Sequence, residues 1–170
     1  RWKKKNQKNV IDWFTKLGEF EALNSLAILS FNHKDWTFPE FKQAHFSIEG
    51  IEVGHPLLKA DTCVPNPISI SKAGELMLVT GSNMAGKSTY LRSIGINTVL
   101  AMCGAPVYAK YFCLSPVQII SSMRIADNLE ESTSTFYAEL KKLKIVIEKV
   151  NNNEDVFILL DEILRGTNSL

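Results

Sequence analysis

The chain has 170 residues, 45% hydrophobic and 22% charged, an apolar content suited to one ordinary domain that buries roughly two-thirds of its unfolded surface. Lys and Arg number 19 against 18 for Asp and Glu, a net charge of +1, so composition carries no electrostatic footprint for nucleic acid or an anionic membrane. The longest apolar stretch, Ile94 to Tyr108, is broken by Asn97, Thr98 and Gly104 and falls short of the roughly 18 residues a membrane span needs.

The basic start, Arg1-Trp2-Lys3-Lys4-Lys5, runs into polar residues rather than the apolar core of a secretion signal, and without an initiating Met the chain reads as part of something longer. From Asn9 to Leu29, Val10, Trp13, Phe14, Leu17, Phe20, Leu23, Leu26 and Ala27 recur at spacings of three and four, predicting an amphipathic helix that packs along one side. Prolines 39, 56, 65 and 67 then forbid a long helix, and Phe46–Ile48 and Ile51–Val53 alternate as strand pieces. Cys63, Cys103 and Cys113 form no C-x-x-C pair and sit among apolar neighbours, so they are expected to be small buried hydrophobes in a reducing interior. His33, His45 and His55 are expected in turns or at the surface.

Glu75–Thr80 is a short apolar run that predicts a buried strand, and Ser88–Met102 predicts a helix with Leu91, Ile94, Thr98 and Ala101 inward, stopped by Gly104 and Pro106. A second helix is predicted over about Thr135–Val150, with Phe136, Leu140, Leu143, Ile147 and Val150 on its apolar stripe and Lys141, Lys142 and Lys144 on a solvated face. Asn151-Asn152-Asn153 ends it, and Val156–Leu160 is a continuous apolar strand leading into Asp161-Glu162. Strands separated by helices predict an α/β domain with a largely parallel sheet.

Between the first predicted strand and its helix lies Gly81-Ser82-Asn83-Met84-Ala85-Gly86-Lys87-Ser88-Thr89, which satisfies G-x-x-x-x-G-K-S/T in the strand–helix context that gives the motif meaning. Glycines let the backbone curl so that its N–H groups and the helix N-terminus converge on phosphate. Lys87 reaches between β- and γ-phosphates as a point charge, and the Ser88 hydroxyl is short enough to ligate Mg2+. Asp161, at the carboxyl edge of its strand, would hold the same Mg2+, and Glu162 would polarise an attacking water. Ser132–Thr135 also suits a helix N-cap.

The runs TGSNMAGKSTYLRSIG, DNLEESTSTFYAEL and LLDEILRGTNSL together resemble the ATPase domain of the MutS family of DNA mismatch repair proteins, relatives of the ABC-type ATPases. IEVGHPLL and Asn66-Pro67 are similar to the segment leading into that domain, so the likeness covers about Glu49–Leu170. The resemblance implies a P-loop NTPase fold, incomplete at Leu170, over residues 36–170, preceded over residues 1–35 by the end of a lever-like helix. It implies ATP and Mg2+ as ligands and a composite site in a homodimer, or with a MutS-like partner. There, Ser134 approaches the partner's γ-phosphate, Asn83 helps position water and Gly166-Thr167 lies in the interface loop. DNA would be held by domains outside this segment, and the location implied is cytoplasmic. Ser82 and Ala85 replace the family's usual proline and glycine, Ser132 and Thr133 replace a glycine and a basic residue, and Cys63 stands where an aromatic residue stacks on adenine. Two functions fit these residues: an ATPase coupled to DNA handling, or a nucleotide-responsive dimerisation switch with negligible hydrolysis and no mismatch recognition.

Overall fold

The computed structural model describes residues 2–43, 46–123 and 132–161, without the side chains of 132–136 and 138. In chain order the elements are α1 (Trp2–Asn6), α2 (Val10–Asn32), β1 (Glu40–Phe41), β2 (Ile48–Val53), β3 (Asn66–Ile70), α3 (Lys87–Met102), β4 (Tyr111–Leu114), β5 (Gln118–Ser122), α4 (Ser132–Asn151) and β6 (Val156–Leu160). One sheet has the order β1-β4-β2-β3 and a second pairs β5 with β6.

The mixed α/β content is as expected, but a largely parallel sheet is not what forms. β5 and β6 run parallel, as does β1 with β4, whereas β2 is antiparallel to both β3 and β4. The connections explain the difference: β5 reaches β6 through the helix α4, a crossover that parallel pairing requires, while β2 and β3 are joined by loop 54–65 with no helix. Within β2 the ladder shifts register between Gly50 and Val53, and Glu52 takes a φ of 53°. The irregularity turns Val53 onto the same buried side as Ile48.

The core is gathered between the four-stranded sheet and α3, with Ile48, Val53, Phe112 and Leu114 from the sheet meeting Ile94 and Ala101 from the helix. Phe157 and Leu159 extend the same cluster onto β6. α3 ends where Gly104 takes a φ of 76°, with the Gly104 N–H donating to Ala101 O and the Ala105 N–H to Leu100 O. α4 ends the same way on Asn153 at φ 56°, with Asn153 N–H donating to Val150 O and Glu154 N–H to Lys149 O. Both are left-handed C-terminal caps that satisfy carbonyls the helix leaves without partners.

Four further expectations need correction. Glu75–Thr80 pairs with no strand among the described residues and leaves Leu76 88% and Leu78 80% exposed, because an apolar run becomes a buried strand only when a second strand supplies its ladder. α2 forms, longer than expected, yet none of its residues is buried, and Phe14, Phe20 and Phe31 face outward. Its periodicity defines a face, while burial also needs an element to cover it. On α4, Leu140, Ile147 and Val150 are exposed, so the expected stripe is not the packed one. Lys142 Nζ instead donates to Ser121 O (3.4 Å), and Lys149 Nζ to Gln118 Oε1 (2.6 Å) and Glu154 Oε2 (2.7 Å), fastening α4 to the β5–β6 sheet. Of the three cysteines only Cys113 is buried; Cys103 is exposed and Cys63 is half-buried. Among the described residues no helix is long and apolar enough to cross a membrane.

Candidate functional site

The loop from Gly81 runs into α3 through Gly86, whose φ of 87° and ψ of 12° lie in the left-handed region. A Cβ there would meet nothing within 4 Å, so glycine is required by the backbone turn and not by lack of space. Met84, at φ 63°, shares the left-handed conformation and carries a fully exposed side chain. Gly81, by contrast, would accommodate a Cβ at 3.5 Å from Ala85 Cβ, an ordinary contact.

Lys87 is the first residue of α3, and its side chain folds back over the loop. Its Nζ donates to Gly81 O and to Ser82 O, each at 2.7 Å. An ammonium has three donors, so one remains for an anion held above the loop. Ser82, Asn83, Ala85 and Thr89 are exposed and Ser88 is half-buried. A cavity of about 270 Å³ opens beside the loop, bounded by Val79, Thr80, Ala85, Gly86 and Lys87 on one side and by Asn66, Pro67 and Tyr90 on the other. The Tyr90 hydroxyl donates to Pro67 O (2.8 Å), which ties this wall to α3, and burial pushes that phenol's pKa up. Tyr90 has no motif signal of its own; only its place one turn into the helix after the loop points to it.

Asp161 directly follows β6, is half-buried, and donates its backbone N–H to Ser122 O (2.9 Å), continuing the parallel pairing beyond the strand. Its strand touches α3: Leu159 Cδ1 lies 2.8 Å from where a Cβ on Gly95 would stand, so α3 rests directly on β6 two residues before Asp161. Among the described residues no three His, Cys, Asp or Glu side chains gather into a metal cage. Glu162, Gly166 and Thr167 lie outside the described residues. Ser134 is the third residue of α4, and the side chains of Ser132–Thr135 lie outside those the structure describes.

Cys63 does not line the cavity. Its Sγ accepts the His55 backbone N–H at 3.3 Å, and the thiol sits beside the Tyr108 hydroxyl, whose pKa is raised mainly by burial and further by that thiol. His55 accepts the Leu57 N–H on Nδ1 (3.2 Å), and burial, assisted by the Arg92 charge, lowers its pKa. Asn97, which reads in the sequence as an interruption of an apolar stretch, is completely buried and fully bonded. Its Nδ2 donates to Gly54 O and Ser93 O, and its Oδ1 accepts the Tyr108 N–H, all at 2.8 Å.

The family model for MutS domain V matches residues 77–170. The chain is 36% identical over 160 residues to the DNA mismatch repair protein MutS of Bacillus subtilis, covering 91% of this chain and 18% of that protein. It is 34% identical over 150 residues to MutS protein homolog 4 of Mus musculus (84% and 15%) and 33% identical over 168 residues to the DNA mismatch repair protein MSH4 of Arabidopsis thaliana (94% and 21%). The chain therefore spans about a fifth of the length of these relatives.

Proposed function

The chain belongs to the MutS family, and from that premise we propose that it is an ATP-binding and hydrolysing unit of P-loop type that serves a mismatch-repair protein as a dimer, with DNA held elsewhere in that protein. The observation that carries the reading is the Lys87 ammonium drawn over Gly81 O and Ser82 O at the left-handed entry to α3. That arrangement puts a cation and the free N–H groups of a helix N-terminus at one point, the combination phosphate oxygens need.

In this reading Lys87 binds between the β- and γ-phosphates while the backbone of Ser82–Ser88 wraps the anion. Ser88 and Asp161 would hold Mg2+ through their side-chain oxygens, a hard donor set of the kind this ion takes. When bound, the ion neutralises charge developing on the phosphate oxygens. Glu162 accepts a proton from water as its oxygen bonds to the γ-phosphorus and the bond to the β,γ-bridging oxygen breaks. Asn83 orients that water, and Ser134, at the start of α4, meets the nucleotide of the second subunit. Tyr90 positions the Asn66-Pro67 wall against the loop through its bond to Pro67 O.

The alternative, a nucleotide-responsive dimerisation switch with negligible hydrolysis, is favoured by one feature: Cys63 faces His55 and Tyr108 and leaves the cavity without a stacking side chain at that position. Steady-state phosphate release by the intact protein, with and without DNA, separates the two. Turnover that disappears in Glu162→Ala while ATP still binds supports the ATPase; binding with no turnover in the unaltered protein supports the switch.

A further inference from the structure

The net charge of +1 conceals a segregation. Residues 1–8 carry Arg1, Lys3, Lys4, Lys5 and Lys8, five of the chain's 19 basic residues, with no acid before Asp12, so the remainder of the chain is net acidic. Lys3, Lys4, Lys5 and Lys8 are exposed, and their ammonium groups form no ion pair or hydrogen bond among the described residues. Lys16, the next cation along, is by contrast paired with Glu19 at 2.7 Å. Trp2 lies in the same stretch and is 64% exposed, with its ring against that of Trp13 at 6.1 Å and planes 54° apart. A straight helix would separate these two residues by about 16 Å along its axis. The turn at residues 7–9 therefore bends α1 toward the start of α2. Around that bend stand Lys3, Lys4 and Lys5 on α1 and Lys8 in the turn itself.

We infer that this bend binds single-stranded nucleic acid, with backbone phosphates on Lys3, Lys4, Lys5 and Lys8 and an unpaired base on the open face of Trp2. The contact is additional to DNA held elsewhere in the protein and does not rest on the nucleotide reading of the phosphate loop. Closely spaced ammonium groups with no acid beside them replace the counterions of a phosphate chain, which is where the affinity arises. An exposed indole next to them is the platform on which bases of any sequence stack. An anionic membrane offers the same negative charge, but holding it takes an apolar face that enters the acyl boundary. Apart from Trp2, residues 1–9 contain no apolar side chain. A duplex would satisfy the lysines and leave Trp2 without a partner, because its bases are already stacked on one another.

The test is fluorescence anisotropy of the intact protein with a labelled single-stranded thymidine oligonucleotide of about 20 nucleotides, room for the site sizes such contacts occupy, titrated over a range of salt. The same proteins are sedimented with phosphatidylserine vesicles. All five side chains are exposed, so their replacement leaves the fold intact. Changing Lys3, Lys4, Lys5 and Lys8 together to Gln weakens oligonucleotide binding about tenfold or more at low salt and flattens the slope of log affinity against log salt by about 3, at roughly 0.7 per phosphate contact. Trp2→Ala weakens it about fivefold or more and leaves the slope unchanged, as the loss of one stacked base requires. A duplex of the same length is affected by the lysine changes and not by Trp2→Ala. An unchanged slope in the lysine variant overturns the proposal, as does unchanged affinity in Trp2→Ala or a lysine effect confined to the vesicles.

Discussion

Replacing Asn97 by Leu keeps the branched side-chain shape, puts two bulkier methyl groups where the amide oxygen and nitrogen stood in a site with no solvent exposure, and removes three hydrogen bonds of 2.8 Å. Ser93 O keeps its helical partner, the Asn97 N–H, because that bond belongs to the backbone of α3. Gly54 O and Tyr108 N–H lose the partners that Asn97 supplies, at about 1–3 kcal/mol each, or roughly 2–6 kcal/mol together. Leu recovers about 0.5 kcal/mol through its better helix propensity. The net loss is therefore about 2–5 kcal/mol, which for a domain of this size lowers the melting temperature by roughly 4–20 °C. Asn97→Asp retains an acceptor for Tyr108 but turns carboxylate oxygen toward Gly54 O and Ser93 O, so at pH 7 it falls at least as far. Urea unfolding followed by tryptophan fluorescence, beside calorimetry on the intact protein, measures both. A loss below about 1 kcal/mol for Asn97→Leu with an unchanged m-value would refute the assignment of Asn97 as the clasp between α3, Gly54 and Tyr108.

Gly86→Ala meets open space but a φ of 87°, so its cost is backbone strain alone, about 1–2 kcal/mol by denaturant titration, whereas Gly81→Ala changes stability by less than about 0.5 kcal/mol. His55 gives a pH dependence of definite sign. Its folded pKa lies below the unfolded value of about 6.5, so the unfolded chain binds the proton first and stability falls as pH drops below about 6.5, the loss being complete below the folded pKa. His55→Asn flattens that part of the thermal-midpoint profile between pH 7.5 and 5.5; an unchanged profile contradicts the assignment. Glu162→Ala leaves ATP affinity intact and reduces turnover by about 10²–10⁴-fold in a phosphate-release assay.

Legibility in the sequence divides along a physical line. The turn of the loop Gly81–Thr89 into a helix is legible because its left-handed Gly86 and folded-back Lys87 depend on neighbours within a few residues. The helix stops at Gly104 and Asn153 are legible for the same reason. Glu75–Thr80 is not, because a ladder partner is a property of some other part of a chain. Asn97 is hidden because its partners Gly54 and Tyr108 stand 43 and 11 residues away, and an amide within an apolar run looks the same whether it breaks a core or ties one together. Cys63 is a related case: family likeness assigns the position to adenine, while its sulfur meets His55 and Tyr108.

Whether the Lys87 loop receives nucleotide decides everything built on it. Isothermal titration of Mg-ATP into the intact protein and into its Lys87→Ala variant, under identical buffer and salt, tests this directly. Saturable binding by the unaltered protein is expected, weakened about 100-fold or more in the variant, as removal of a charge-assisted contact worth up to roughly 3 kcal/mol implies. Equal affinity in the two proteins, or no binding in either, would contradict it.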